Sequence, residues 1–207
     1  MNAAFHENLI RKIGQAHFEA VQKIKIGLAG AGGLGSNCAA NLVRVGFRRL
    51  KIVDFDLVDA TNLDRQFFFA DQVGMYKVDA LRQNLLRINP ELKLDTEIKK
   101  IEKSMLPDLF ADCDIVAECL DGAENKSILV SELMPSGKFI VAVSGLGGYG
   151  MSDDIRVHCV QENLVIIGDL QSDIALRPAL SPRVNIAAAK QADAILEYAC
   201  RRIPRRA

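Results

Sequence analysis

The sequence predicts an α/β protein with a doubly wound, mostly parallel sheet, and three features of its 207 residues support this. First, an apolar run at residues 24–29 enters the glycine loop Gly30-Ala31-Gly32-Gly33-Leu34-Gly35. A helical stretch and a second apolar run follow within about thirty residues, the unit from which parallel sheets are built. Second, short apolar runs and helical stretches keep alternating to about residue 144, with no internal repeat, low-complexity linker or composition break. Third, the period then changes to two short runs around a turn, read as antiparallel strands, before one long amphipathic stretch closes the chain.

Residues 7–22 carry Leu9, Ile10, Ile13 and Phe18 at near-helical spacing and read as one or two leading helices. They are set apart as 1–23, with 24–207 as one domain. Residues 36–45 read as a helix stopped by Gly46, where a left-handed cap is expected. Residues 50–54 form the second strand. A helix over 74–88 ends at Asn89-Pro90, because the residue before proline is pushed out of helical geometry. Residues 92–98 alternate like a strand, and 104–110 suggest a short helix. Strands follow at 114–119 and 138–144, with a helix over 124–134 between them. The late strands are 155–160 and 164–167, and the closing helix is 183–201. In such a Rossmann-like sheet, ligands sit at the carboxyl ends of strands where the strand order reverses. The glycine loop, Asp54, Asp121 and Ser144 are therefore expected around one crevice.

Lys+Arg and Asp+Glu both total 26, and the pI is near 6.8, so no global basic field points to nucleic acid or an anionic membrane. The first residues lack the basic-then-apolar pattern of a signal peptide, and no apolar run approaches the ~20 residues that span a bilayer. A cytoplasmic location is the expectation. The five cysteines (Cys38, Cys113, Cys119, Cys159, Cys200) are scattered and never spaced C-x-x-C, and there are only three histidines. Neither a disulfide framework nor a zinc site is expected; the cysteines, Cys159 included, read as small core residues.

Gly30-x-Gly32-x-x-Gly35 follows a strand and opens a helix, the context in which backbone N–H groups and the helix dipole hold phosphate. Gly33 belongs to the same loop. Asp54, nineteen residues past Gly35, fits a carboxylate bonding ribose hydroxyls. Both NAD and ATP carry such a ribose, so the loop alone is ambiguous. The next segment favours ATP. A triphosphate calls for cations aimed at its outer phosphates, and Arg65 and Lys77 lie just downstream, with Asn62 and Gln66 as neutral donors. Asp121, at the end of a strand and before Gly122, can hold magnesium or cap the following helix. Glu118, within that strand, reads as structurally paired. Gly145-x-Gly147-Gly148 reads as a turn, with room for an extended glycine tail as the alternative. Ser144 lies in no G-x-S-x-G elbow and has no evident His partner, so hydrolase chemistry is not supported. The cluster Arg201, Arg202, Arg205, Arg206 reads as a solvated terminus.

Gly30-x-Gly32-Gly33-Leu34-Gly35-Ser36, the run Asp54-x-Asp56…Asn62-Leu63-x-Arg65-Gln66, Gly74-x-x-Lys77, Arg87-Ile88-Asn89-Pro90 and Asp121 together resemble the ThiF/MoeB/HesA family, relatives of ubiquitin-activating enzymes. The likeness runs from about residue 24 to 203, and Ser181-Pro182-Arg183-Val184 resembles the short ThiF subfamily. The resemblance implies adenylation of the C-terminal Gly-Gly carboxylate of a ubiquitin-like sulfur carrier, ThiS-like, in thiamine thiazole synthesis. It would place Asp54 on the ribose, Asn62, Arg65 and Lys77 with the phosphates and Asp121 on magnesium, with Asp56 and Gln66 also in the ATP site. It also implies a homodimer, with Arg11 the candidate to reach a partner's ATP and a solvated surface arginine as the other reading. Two departures stand out: the C-x-x-C pairs that hold zinc in many members are missing, and Lys126 stands where arginine is common. An NAD(P)-dependent oxidoreductase and a non-catalytic carrier-binding scaffold are the competing readings.

Overall fold

In the computed structural model, which describes residues 3–201, the chain runs α1 (Ala3–Ile13), α2 (Gln15–Lys23), β1 (Lys25–Ala29), α3 (Gly33–Arg44), β2 (Arg49–Asp54), α4 (Lys77–Ile88), β3 (Lys93–Ile98), α5 (Leu106–Leu109), β4 (Ile115–Glu118), α6 (Ala123–Leu133), β5 (Phe139–Val143), β6 (Arg156–Gln161), β7 (Leu164–Gly168) and α7 (Ser181–Arg201). The leading helical segment is two helices because Gly14 sits at φ +82°, which breaks the run. α3 ends as the sequence suggests. Gly46 takes φ +106°, its N–H donates to Val43 O at 3.2 Å, and Phe47 N–H returns to Leu42 O at 3.0 Å. α4 starts at Lys77, three residues later than the apolar spacing suggests. Gly74 is at φ +89°, and residues 74–77 are tied back to Val58 and Asp56 by backbone hydrogen bonds.

The strands form one seven-stranded sheet in the order β3-β2-β1-β4-β5-β7-β6. All neighbours are parallel except β6 with β7. The β6–β7 connection is too short for a crossover, so β6 must run against its neighbour. β7 itself lies parallel beside β5, and only the edge strand is reversed. The chain leaves β1 toward β2 and β3, then crosses back to lay β4 on the other side of β1. Strand order thus reverses between β1 and β4, and the crevice opens there.

Alternate strand residues bury into two cores. Ile26, Leu28, Leu50, Ile52, Ile115, Ala117, Val141 and Val143 meet α3, α4 and α7 on one face. Val53, Val116 and Ile140 meet α5 and α6 on the other. Gly27 is required on that second face, because a Cβ there would lie 2.5 Å from the Phe110 ring. Cys38, Cys113 and Cys119 are buried, as expected of core thiols, and burial pushes Cys38 and Cys113 up to about 12. Cys159 departs from that expectation: it lies on edge strand β6, most of whose residues are exposed, and is itself exposed. No described helix is long and apolar enough to cross a membrane. Of the basic tail, Arg201 ends α7 paired with Glu197, while Arg202, Arg205 and Arg206 lie outside the described residues.

Candidate nucleotide site

The glycine loop is shaped by two contacts that leave no room for side chains. Gly30 takes φ +102°, and a Cβ there would lie 2.5 Å from Cys119 O of the neighbouring strand. A Cβ on Gly35 would lie 2.0 Å from Gly30 O, so the first turn of α3 can lean on the loop only because Gly35 has none. The loop is tied to β2 by Gly30 N–H, which donates to Val53 O at 2.9 Å, and by Ala31 N–H, which donates to Asp54 Oδ2 at 2.6 Å. Asp54 Oδ1 accepts from Asp56 N–H at 2.8 Å. Burial raises the Asp54 carboxyl above the ordinary aspartate range, against the pull of its two backbone donors and Lys77. Each of its oxygens keeps one lone pair for a further donor.

Beyond β2 the chain returns across the crevice, and the structure separates residues that the sequence groups together. Lys77 is 6% exposed and pairs with Asp56 at 2.7 Å, a contact reinforced by its own backbone N–H on Asp56 O. Arg65 is partly exposed and pairs with Asp64 at 2.6 Å. Asn62 is fixed in its own turn by its oxygen: its Oδ1 accepts from Asp59 N–H, while Asp59 accepts from Thr61, so only Nδ2 is left to donate. Gln66 has a buried Oε1 with no partner among the described residues, and its Nε2 faces Gly32.

At the end of β4, Glu118 is fully buried and holds Lys126 of α6 at 2.9 and 3.1 Å. Burial raises its carboxyl, opposed by the Lys126 ammonium. Asp121 is exposed, and its carboxylate makes no ion pair or hydrogen bond among the described residues. It does not cap α6: the N-cap residue is Gly122 at φ +79°, with no side-chain cap bond. The capping alternative is therefore removed.

Two cavities meet at this point. The smaller, about 230 Å³, is bounded by Gly30, Gly32, Asp54, Phe55, Asp56 and Lys77, with residues 99–101 across from them. Lys100 Nζ lies 5.9 Å from the Phe55 ring centroid at its mouth. The larger, about 470 Å³, lies between Gly33, Arg65, Gln66, Lys126, Ser144 and the loop after β7. Cys119, Leu120 and Asp121 line both. Lys77 and Arg65 consequently stand on opposite sides of Asp121. Asn62 lines neither cavity, and nor does Arg11, exposed near the end of α1. The glycines after β5 serve loop packing: Cβ atoms on Gly145 and Gly147 would strike Asp169 Oδ1 at 2.1 Å and Arg177 O at 2.7 Å.

Several organising residues carry weak sequence signals. Ser36 and Asn37, on the first turns of α3, hold the returning segment: Phe67 N–H donates to Ser36 Oγ at 2.9 Å, and Asn37 Nδ2 donates to Arg65 O at 3.0 Å. Gln191 of α7 is fully buried and donates to Glu118 O and Val141 O, pegging that helix to the end of β4 and the middle of β5. Arg183 is buried against Asp169. A polar residue on an apolar helical stripe, as Gln191 and Arg183 are, was the available signal.

Residues 5–199 match the profile of the ThiF family. Among curated proteins, SUMO-activating enzyme subunit 2 of Dictyostelium discoideum is 31% identical over 146 residues, 70% of this chain and 22% of that protein. Adenylyltransferase and sulfurtransferase UBA4 of Candida glabrata is 36% identical over 131 residues, 63% of this chain and 30% of that protein. This chain thus spans under a third of the length of these two relatives. Among solved structures, E. coli tRNA N6-threonylcarbamoyladenosine dehydratase, TcdA, in complex with AMP superposes with a TM-score of 0.87 at 17% identity, covering 97% of this chain and 95% of that one.

Proposed function

The chain belongs to the ThiF family, and from that premise we propose that it binds ATP across the two joined cavities and adenylates the C-terminal glycine carboxylate of a ubiquitin-like sulfur carrier. The observation that carries the reading is the seam at Asp121. One unpaired carboxylate stands where a nucleoside-sized cavity behind the glycine loop opens into a larger cavity bearing a cation. In this reading the nucleoside lies in the smaller cavity, with its ribose hydroxyls donating to the free lone pairs of Asp54, and the phosphates run over the start of α3 toward Arg65. The carboxylate substrate enters through the larger cavity. The solved relatives bound to ATP, E. coli TcdA and E. coli MccB, and the adenylyltransferase name of the UBA4 relatives lend it support.

A carboxylate oxygen attacks the α-phosphorus, the bond from that phosphorus to the β-bridging oxygen breaks, and pyrophosphate leaves. The nucleophile is already ionised, so no general base is required. What the chain must supply is position and charge in the crevice. Loop N–H groups and the N-terminus of α3 face the phosphates, and Arg65 meets the charge that develops on the leaving group. Lys77, pinned by Asp56, holds the nucleotide end. Magnesium suits the donor chemistry at Asp121, since that ion takes one or two carboxylates and fills its other positions with phosphate oxygens and water. No group of three metal-ligating side chains exists among the described residues. When bound there, magnesium would neutralise phosphate charge.

The proposal extends to a ThiS-like carrier, thiamine thiazole synthesis, and a homodimer in which Arg11 reaches its partner's site. Isotope exchange between pyrophosphate and ATP, dependent on a carrier ending in Gly-Gly, tests the chemistry. Asp121→Asn lowers exchange roughly 100-fold, the cost of removing one pre-positioned charge contact. Absence of exchange with every Gly-Gly carrier from the same cell overturns the reading.

A further inference from the structure

We infer that Arg183 is a positioning residue, holding the segment 169–180 as the outer wall of the larger cavity and thereby setting how tightly that cavity takes its carboxylate substrate. The substrate half of this inference rests on the adenylation reading above; the latch itself rests on geometry. Arg183 is 5% exposed and joins three separate stretches of chain. Its Nη2 pairs with Asp169, just after β7, and its Nη1 donates to Gly150 O at 2.8 Å and Met151 O at 3.3 Å, in the loop after β5. Asp169 is occupied from the other side too: its Oδ1 accepts from Gln171 N–H at 2.9 Å and Ser172 N–H at 2.7 Å. Burial alone would raise that carboxyl, but the backbone donors and Arg183 hold it below the ordinary aspartate range, so Asp169 stays ionised at neutral pH.

The turn before the wall is tightly seated. Cβ atoms on Gly168 and Gly145 would lie 1.7 Å from Ser144 O and 2.1 Å from Asp169 Oδ1. Leu170 adopts φ +60°, uncommon for a branched residue, and its N–H donates to Ser144 O. Past that turn the segment lines the cavity with Leu170, Ser172 and Ile174, yet it has little packing of its own. Leu170 and Ile174 are 49% and 47% exposed, and Leu176 is 83% exposed. A wall with so few buried apolar contacts needs polar anchors: Gly148 N–H donates to Pro178 O at 3.1 Å at its far end, the Asp173 and Arg177 carbonyls lean on Gly147, and Arg183–Asp169 is the buried ion pair at its base. None of the three joined stretches lines the smaller, nucleotide-side cavity.

The test compares the full chain with Arg183→Gln, Asp169→Asn and Arg183→Lys. Hydrogen exchange in residues 169–180 is expected to speed up at least tenfold in Arg183→Gln and Asp169→Asn, while residues 49–54 keep their protection. Calorimetry is expected to give ATP dissociation constants within twofold of the parent. In pyrophosphate exchange, the KM for the Gly-Gly-ended carrier rises at least tenfold while the KM for ATP stays within twofold. Arg183→Lys keeps the charge but cannot reach both carbonyls, so it falls between; it carries the test if Arg183→Gln does not fold. Unchanged protection over 169–180, or equal losses at both substrates, overturns the inference. A parent chain with no exchange activity sinks the adenylation reading instead, and the hydrogen-exchange comparison then decides the latch by itself.

Discussion

Arg65 and Glu118 illustrate how differently two charged residues of one crevice can be used. Arg65 is about a third exposed and its partner Asp64 is more exposed still, so their ion pair adds under about 1 kcal/mol to stability. If Arg65 exists to meet phosphate charge, its removal should be nearly silent in the fold and severe in the chemistry. Arg65→Ala is expected to leave the melting temperature within a few degrees while lowering exchange roughly 100-fold; a matched loss in both would make it a structural residue. Glu118 is the reverse case. It is fully buried against Lys126, and burial raises its carboxyl above the ordinary 4.5. The folded state then holds this proton more tightly than the unfolded state does. Its contribution to stability therefore falls as pH rises from about 4.5 toward the folded value. Urea titrations of the parent and Glu118→Gln across pH 4 to 8 should show the parent losing ground to the variant as pH rises through that window. A gain with rising pH would mean that Lys126 outweighs burial.

The elements explain why the glycine loop could be read from sequence while the side chains around it could not. Strand β1, the loop and helix α3 follow from local rules, because an apolar run, three spaced glycines and a helical period leave few other conformations. Gly35 is the sharpest instance. With a Cβ position 2.0 Å from Gly30 O, Gly35→Ala must push α3 off the loop. Overpacking of this kind costs about 1–3 kcal/mol, and backbone in the way places it at the upper end. Equilibrium unfolding should show that loss; a change under 0.5 kcal/mol would mean that the helix start is loose. The commitments of Asn62, Lys77 and Asp121 were less legible, since each depends on atoms far away in sequence or on a turn that spacing does not encode. Asn62 looks like an unanchored amide until Asp59 N–H is found on its Oδ1, which fixes the side chain and leaves only Nδ2 to donate. Lys77 looks like a second phosphate cation beside Arg65 until the return of the chain buries it on Asp56. Asp121 stayed balanced between cap and ligand until Gly122 took the N-cap position. Cys159 was misread because an apolar alternating run looks the same in a central strand as in an edge strand.

At the scale of the molecule, the decisive arrangement is the strand-order reversal between β1 and β4, which opens one crevice and lets side chains from β2, β4, β5 and the loop after β7 converge there. The fold alone does not choose between ATP and a dinucleotide, since both can lay phosphate on the start of α3. The difference lies in what continues past Asp121. A dinucleotide would carry a second nucleoside into the larger cavity, toward Arg65, Lys126 and the apolar side chains of the loop after β7. ATP ends in phosphates and leaves that cavity for another substrate. Ligand binding to the folded chain alone adds about 2.7 kcal/mol of stability at a hundred times the dissociation constant, which for a domain of this size raises the melting temperature by roughly 5–10 °C. ATP with magnesium is expected to give such a shift, and NADH at equal concentration to give none. Asp54→Ala should abolish the ATP shift after correction for its own lower melting point, because that residue both shapes the loop through Ala31 N–H and faces the nucleoside cavity. Arg183→Gln should keep the shift, since the latch it forms lies beyond the phosphates. A shift with NADH and none with ATP would return the crevice to the oxidoreductase reading, with Arg65 and Lys126 reassigned to the second nucleoside.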